Sequence, residues 1–181
     1  MKKSKKSYME LQKLVPPETR TKWVTEQNTL KKMIISTDDF DWSSDLSNLQ
    51  GKKPLRLVGG LDMSLSKKDE ELMCGVLVVC EFPSMKIVYE DFQFYKIDVP
   101  YVPGFLAYRE LPALQPLLEK LKKNKPELLP QVMLVDGNGI LHPREFGLAC
   151  HLGVVSNIPS IGVGKTVFAL DGINKVRTRL K

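Results

Sequence analysis

Apolar residues change their spacing several times along the chain, and each change predicts a different element. Behind a PPET start, Trp23, Gln27, Leu30, Met33 and Ile34 fall at near-helical intervals, which predicts an amphipathic helix from Pro17 to Ile35 with proline at an early helical position. Ser36 to Gly51 is polar and acidic, a connector that carries Phe40 and Trp42 toward the core. Three runs of strand character follow, Leu55 to Asp62, Leu72 to Phe82 and Lys86 to Phe94, joined by SKKDEE and PSM. Connections this short predict an antiparallel meander. From Gly104 to Lys123 helical spacing returns. Phe105, Leu106, Leu111, Leu114, Leu117, Leu118 and Leu121 form the apolar stripe, and Lys120, Lys122 and Lys123 lie near the end that attracts cations. Val132 to Val135 is a short buried strand, Glu145 to Leu152 a helix, and Ser160 to Val163 a further buried strand. Strands alternating with helices pair in parallel, so the prediction is an α/β fold on one mixed sheet, a meander followed by α-β-α-β.

With 181 residues, 43% of them apolar and 27% charged, the chain has material for one domain that buries roughly two-thirds of its unfolded surface. Residues 17–170 are read as that domain, between a basic flexible tail at 1–16 and a second basic tail at 171–181. The net charge of +6 points to a polyanion until it is located. Lys2, Lys3, Lys5 and Lys6, with Lys175, Arg177, Arg179 and Lys181 against Asp171, account for more than all of it. Any grip on a polynucleotide by the near-neutral body therefore has to come from individually placed groups. Cys74, Cys80 and Cys150 are odd in number and lack CxxC spacing, which disfavours a disulfide framework or a zinc site and points to a reducing compartment. No run approaches the ~20 apolar residues of a membrane span, and MKKSKK leads into no apolar signal core. The expectation is a soluble, intracellular protein of the cytoplasm or nucleus, the nucleolus included, with no membrane partner.

Candidate chemistry lies in three acids. Asp62 ends the apolar run LRLVGGLD, Asp136 ends QVMLVD, and Glu110 closes PYVPGFLAYRE on the first turns of a predicted helix. Each setting brings a carboxylate to the rim of a sheet, and converging carboxylates hold catalytic magnesium, which prefers their oxygen to sulfur or imidazole. Asp62 taken alone reads equally as a strand-end turn cap. Two other patterns fail on inspection. Asp38, Asp39, Asp41 and Asp45 lack the ligand order and glycine of a calcium loop, and IGVGKT carries Pro159 where a phosphate-binding loop needs its first glycine.

The succession GGLDMS, PYVPGFLAYRE, VMLVDGNGILHPREFG and IPSIGVGK, from about Val58 to Lys165, closely resembles the endonuclease V family, which acts on deaminated bases and cleaves inosine-containing RNA. The resemblance implies an RNase H-like three-layer fold. It implies that Asp62 and Asp136 coordinate magnesium, or manganese in its place, with Glu110 completing the acidic cluster and Lys165 close to the scissile phosphate. It also implies that Pro100, Tyr101, Val102 and Pro103 form a wedge, Tyr101 stacking where an extruded base has left the helix. Gly104, Leu106, Gly137 and Gly139 would line a pocket for hypoxanthine. Read from the residues alone, Tyr101 is equally a loop aromatic packed on the core. His142 and Arg144 are candidates to contact phosphate, while an ordinary loop hydrogen bond accounts for His142 as well.

The implied activity is hydrolysis of the second phosphodiester on the 3′ side of inosine in single-stranded RNA or DNA, with no obligate protein partner. Family members continue past the GVGK segment, whereas this chain stops at Lys181 and DGINKVRTRLK holds no counterpart of the late region that completes their site. A terminal part is thus expected to be missing, and a form that binds inosine without efficient cutting is the second reading.

Overall fold

The computed structural model describes residues 8–69 and 71–165, so the lysine-rich head and the 171–181 tail lie outside the described residues. Helices α1 (Tyr8–Gln12) and α2 (Pro17–Lys31) open the chain, followed by two-residue strands β1 (Trp42–Ser43) and β2 (Lys53–Pro54). The meander is β3 (Leu57–Leu65), β4 (Leu72–Glu81) and β5 (Ile87–Lys96), and then come α3 (Leu106–Asn124), β6 (Val132–Asp136), α4 (Leu148–Ser156) and β7 (Ser160–Val163). The main sheet runs β5-β4-β3-β6-β7, antiparallel across the meander and parallel from β3 through β6 to β7. The mixed sheet expected from the order of elements is therefore present. Among the described residues no helix is long and apolar enough to cross a membrane.

One face of the sheet carries the main core. Leu61, Leu77, Val79, Met133 and Val135 meet Leu111, Leu114, Leu117, Leu118 and Leu121 of α3, with Leu148, Ala149 and Leu152 of α4 beside them. Each leucine buried this completely is worth about 1.5–3 kcal/mol. Packing on that scale explains how α3 stays continuous through Pro112 and Pro116, neither of which can donate a helical hydrogen bond.

A smaller core of Val15, Trp23, Val102 and Phe105 lies between the first two helices and the start of α3. Trp23 stacks on Tyr108 at 4.6 Å, and the Tyr108 hydroxyl donates to the Trp23 carbonyl at 2.9 Å. These contacts correct the expected tail boundary at residue 16, because α1 and Val15 dock onto the body and Gln12 donates to the Pro103 carbonyl at 3.0 Å.

Other expectations also shift. Helix α2 stops at Lys31, where Met33 and Ile34 turn back to Leu30 and Lys31 with three-residue spacing, so Met33 swings outward instead of continuing the apolar stripe. Phe40 and Trp42 stack on each other at 4.1 Å and stay half-buried, short of the core. Helix α4 begins at Leu148 because Glu145 has a left-handed φ of 53°, which a right-handed helix cannot contain.

Helix α3 lies hard against β4 at Gly75, where a Cβ would stand 2.8 Å from the Ala113 carbonyl oxygen. Gly75→Ala should therefore lower stability by about 1–3 kcal/mol, since a backbone atom has to give way. Urea unfolding would measure this, and an unshifted midpoint would show that α3 is free to move off the sheet.

Candidate active site

Parallel pairing brings two of the acids together. The parallel pairing of β3 with β6 runs as far as Leu61 and Val135, so Asp62, still within β3, and Asp136, the last residue of β6, come next on neighbouring strands, about 5 Å apart by ordinary strand spacing. Asp136 is also opposite Val163 of β7, and Gly137 donates to the Val163 carbonyl at 3.0 Å. That pairing sets the course of the chain toward Lys165, whose ammonium reaches the Asp136 carboxylate at 2.8 Å. Glu110 enters from the second turn of α3. Asp62, Glu110, Asp136 and Lys165 all line one cavity of about 210 Å³, whose wall also includes Tyr101, Gly104, Leu106, Gly137 and His142.

The acids act on one another electrostatically. Burial pushes the Glu110 carboxyl up to about 7, and the Asp136 and Asp62 carboxylates add to the rise against Arg109 and Lys165, which oppose it. Lys165 is held more firmly protonated by Asp136 first, then by Asp62 and Glu110. The site is thus an acidic concavity with a cation from the chain already seated on one carboxylate. It is not a preformed cage. Among the described residues no group of three His, Cys, Asp or Glu side chains is gathered closely enough to hold a metal ion, and Asp62 turns one oxygen back to its neighbouring Met63 N–H at 2.7 Å. The three carboxylates share a cavity and a field, without ready-made coordination.

The loop before α3 splits in two. Tyr101 is 48% exposed and stands at the cavity, whereas Val102 is 1% exposed and packs with Val15, Trp23 and Phe105. Val102 is therefore an anchor for this loop and no part of an exposed wedge. Pro100 and Pro103 are half-buried beside it.

His142 is buried and lines the cavity wall, and Arg144 is half-buried beside it. Burial pulls the His142 imidazole down to about 4, with Arg144 adding to the fall. One ring nitrogen meets the Gly104 carbonyl at 3.1 Å and the other accepts from the Arg144 N–H at 3.2 Å. Arg144 donates to Gln27 at 2.6 Å and to the Gly104 carbonyl, and lies over the Phe105 ring. Gly104 has φ +82°, a conformation that favours glycine. Gly139 stands outside the cavity lining, with Cys150 and Gly162 nearest. Gln27, read from the sequence only as a position on a helix face, proves to be a buried residue on the cavity wall. Its signal was a polar residue in the middle of an apolar stripe.

Because folding raises the Glu110 pKa above its unfolded value, the neutral form stabilises the fold below the ordinary glutamate range, and that contribution is lost as pH rises through about 7. Glu110→Gln should therefore be more stable than the parent at pH 8, with the difference closing below about pH 4. Thermal unfolding across this range tests the sign. A difference independent of pH would contradict the raised value.

Comparison with known proteins matches this geometry to a family. The endonuclease V family model matches residues 39–180. Mouse endonuclease V is 46% identical over 158 residues, covering 87% of this chain and 46% of the mouse protein; the human protein is 44% identical, covering 87% and 55%. The chain thus spans about half the length of these curated relatives. The crystal structure of the catalytic domain of human endonuclease V superposes with a TM-score of 0.81 at 42% identity, over 88% of this chain and 63% of that one. Ciona intestinalis endonuclease V, in complex with a 23mer DNA containing an inosine followed by a ribo-adenosine, gives 0.79 at 40% identity over 90% and 65%. The mixed α/β fold matches the RNase H-like structures of endonuclease V, and the chain belongs to the endonuclease V family.

Proposed function

We propose that this chain is a metal-dependent endonuclease that recognises inosine in single-stranded RNA or DNA and cuts the second phosphodiester on its 3′ side. The carrying observation is the single cavity in which Asp62, Glu110, Asp136 and Lys165 meet a wall containing Gly104 and Leu106, with Tyr101 at its edge. The Ciona complex with inosine-containing DNA supports the choice of base.

The donor set is one of carboxylate oxygens, which suits a hard divalent cation such as Mg2+, or Mn2+, and the Lys165 ammonium on Asp136 is a stand-in for such a charge. Asp62 and Asp136 would hold the cation, with Glu110 joining once ionised. When bound, such cations make water a stronger nucleophile and stabilise the leaving oxygen of the phosphodiester. Lys165 is 84% exposed along its side chain, free to move from Asp136 to a phosphate and neutralise charge that develops there. Gly104 and Leu106 stand at the pocket edge, where an N–H group would donate to the six-position carbonyl of hypoxanthine and would be opposed by the amino group of adenine, itself a donor. Tyr101 supplies a face for stacking, and single-stranded substrate spares the cost of unpairing.

The lack of a tight three-ligand group among the described residues favours one second reading, a chain that binds inosine and cuts slowly or not at all. Incubating this chain with an inosine oligonucleotide and Mg2+ separates the two, because cleavage abolished by Asp62→Ala supports the first and binding without cleavage supports the second. Asp136→Ala should remove cleavage and leave inosine binding largely intact; loss of both in a folded variant would contradict its assignment as a cation ligand. Tyr101→Ala should weaken inosine binding by about 1–3 kcal/mol. Anisotropy titration would detect this, and an unchanged affinity would exclude Tyr101 from stacking.

A further inference from the structure

We propose that Gln27 is a positioning residue for base recognition, holding with Arg144 and His142 the Gly104 carbonyl that joins the Tyr101 loop to α3. The inference rests on the reading of this cavity as an inosine pocket.

Three side-chain N–H groups converge on one oxygen. The Gln27 amide donates to the Gly104 carbonyl at 3.2 Å, and Arg144 donates to the same atom. His142 contributes the third. Its Nδ1 accepts from the Arg144 backbone N–H at 3.2 Å, which places the ring proton on Nε2, 3.1 Å from the Gly104 oxygen. A carbonyl oxygen has two lone pairs, so three donors fix its direction beyond what hydrogen-bond satisfaction requires.

Gln27 is 1% exposed and fully engaged. Besides Gly104 it donates to the Phe146 carbonyl at 3.3 Å, and its own oxygen accepts from Arg144 at 2.6 Å. One side chain thus ties α2 to two separate segments of cavity wall. With donors and acceptor committed inside the protein, Gln27 lines the cavity without a group directed at a base. Its effect must pass through Gly104, where a Cβ would come within 2.9 Å of the Arg144 guanidinium. Gly104 lies between Tyr101 and Leu106, so fixing it sets the stacking ring and the pocket wall relative to Glu110 one helical turn further on. Small displacements of such a wall are costly to recognition.

The test compares binding of inosine-containing and matched adenosine-containing single-stranded oligonucleotides, without added Mg2+, by the parent chain and two variants. Gln27→Met keeps the volume and removes every hydrogen bond. Gln27→Glu keeps an acceptor for Arg144 and withdraws the donors from Gly104 and Phe146, so it has a route to folding that Gln27→Met lacks. Either folded variant should lose about tenfold in preference for inosine, the scale of one well-placed hydrogen bond, with affinity for the adenosine strand unchanged. A role confined to stability would lower the melting temperature and leave the preference intact, and that result in a folded variant overturns the proposal. If neither variant folds, Arg144→Lys, which loses the contact to Gln27 and keeps the charge, decides by the same ratio. A parent chain with no preference for inosine removes the functional reading and this inference with it. A parent preference undiminished in the variants removes only the inference.

Discussion

The parallel register between β3 and β6 is the constraint on which the site depends. Where the parallel pairing of β3 with β6 stops, at Leu61 and Val135, the next residues stand side by side, and they are Asp62, within β3, and Asp136, the last residue of β6. The core beneath, with Leu61, Met133 and Val135 packed on α3, sets that register, since a slip by one residue would turn each strand's apolar side chains away from the helix. Placing Glu110 on the same helix brings a third carboxylate into the field of the first two. Burial of Glu110 is the chief reason its pKa is raised, and the Asp136 and Asp62 carboxylates add to that rise.

Under the proposed function, a near-neutral body would act on a polyanion through individually placed groups. Attraction does not come from bulk charge. A divalent cation between the acids and the Lys165 ammonium would together present positive charge at one point, where a phosphate is to be held. In the proposed reading, recognition would be physically separate: the Tyr101 loop is pinned from below by Val102 in the small aromatic core and from the side by the hydrogen bonds at Gly104. Helices α1 and α2 therefore serve the pocket by supporting it.

Much of this was legible in the sequence. Apolar runs ending in Asp62 and Asp136 announced two strands, the first of which runs on to Leu65, and the meander followed from short connections. The fold order came through with boundaries shifted by a few residues at most in the strands, but β7, expected to be buried, is an edge strand among the described residues, with Ile161 and Val163 exposed. What was not legible depends on pairing across long sequence distances. Spacing along Pro17 to Ile35 could not reveal that the helix would stop at Lys31, nor that Gln27 would meet Gly104 and Phe146. His142 and Arg144 look like phosphate ligands as isolated basic residues. Only the fold shows that both are committed to one buried carbonyl. Val102, flanked by exposed and half-buried neighbours, belongs to the core for the same reason.

The central claim is that the three carboxylates form one electrostatic unit suited to a divalent cation. The most direct measurement is a carbon-13 NMR titration of the Glu110 side-chain carboxyl, with and without Mg2+. The account predicts a pKa near 7 in the free protein that falls when Mg2+ is added. A Glu110 carboxyl that titrates in the ordinary glutamate range, or one whose titration Mg2+ leaves unmoved, would contradict it.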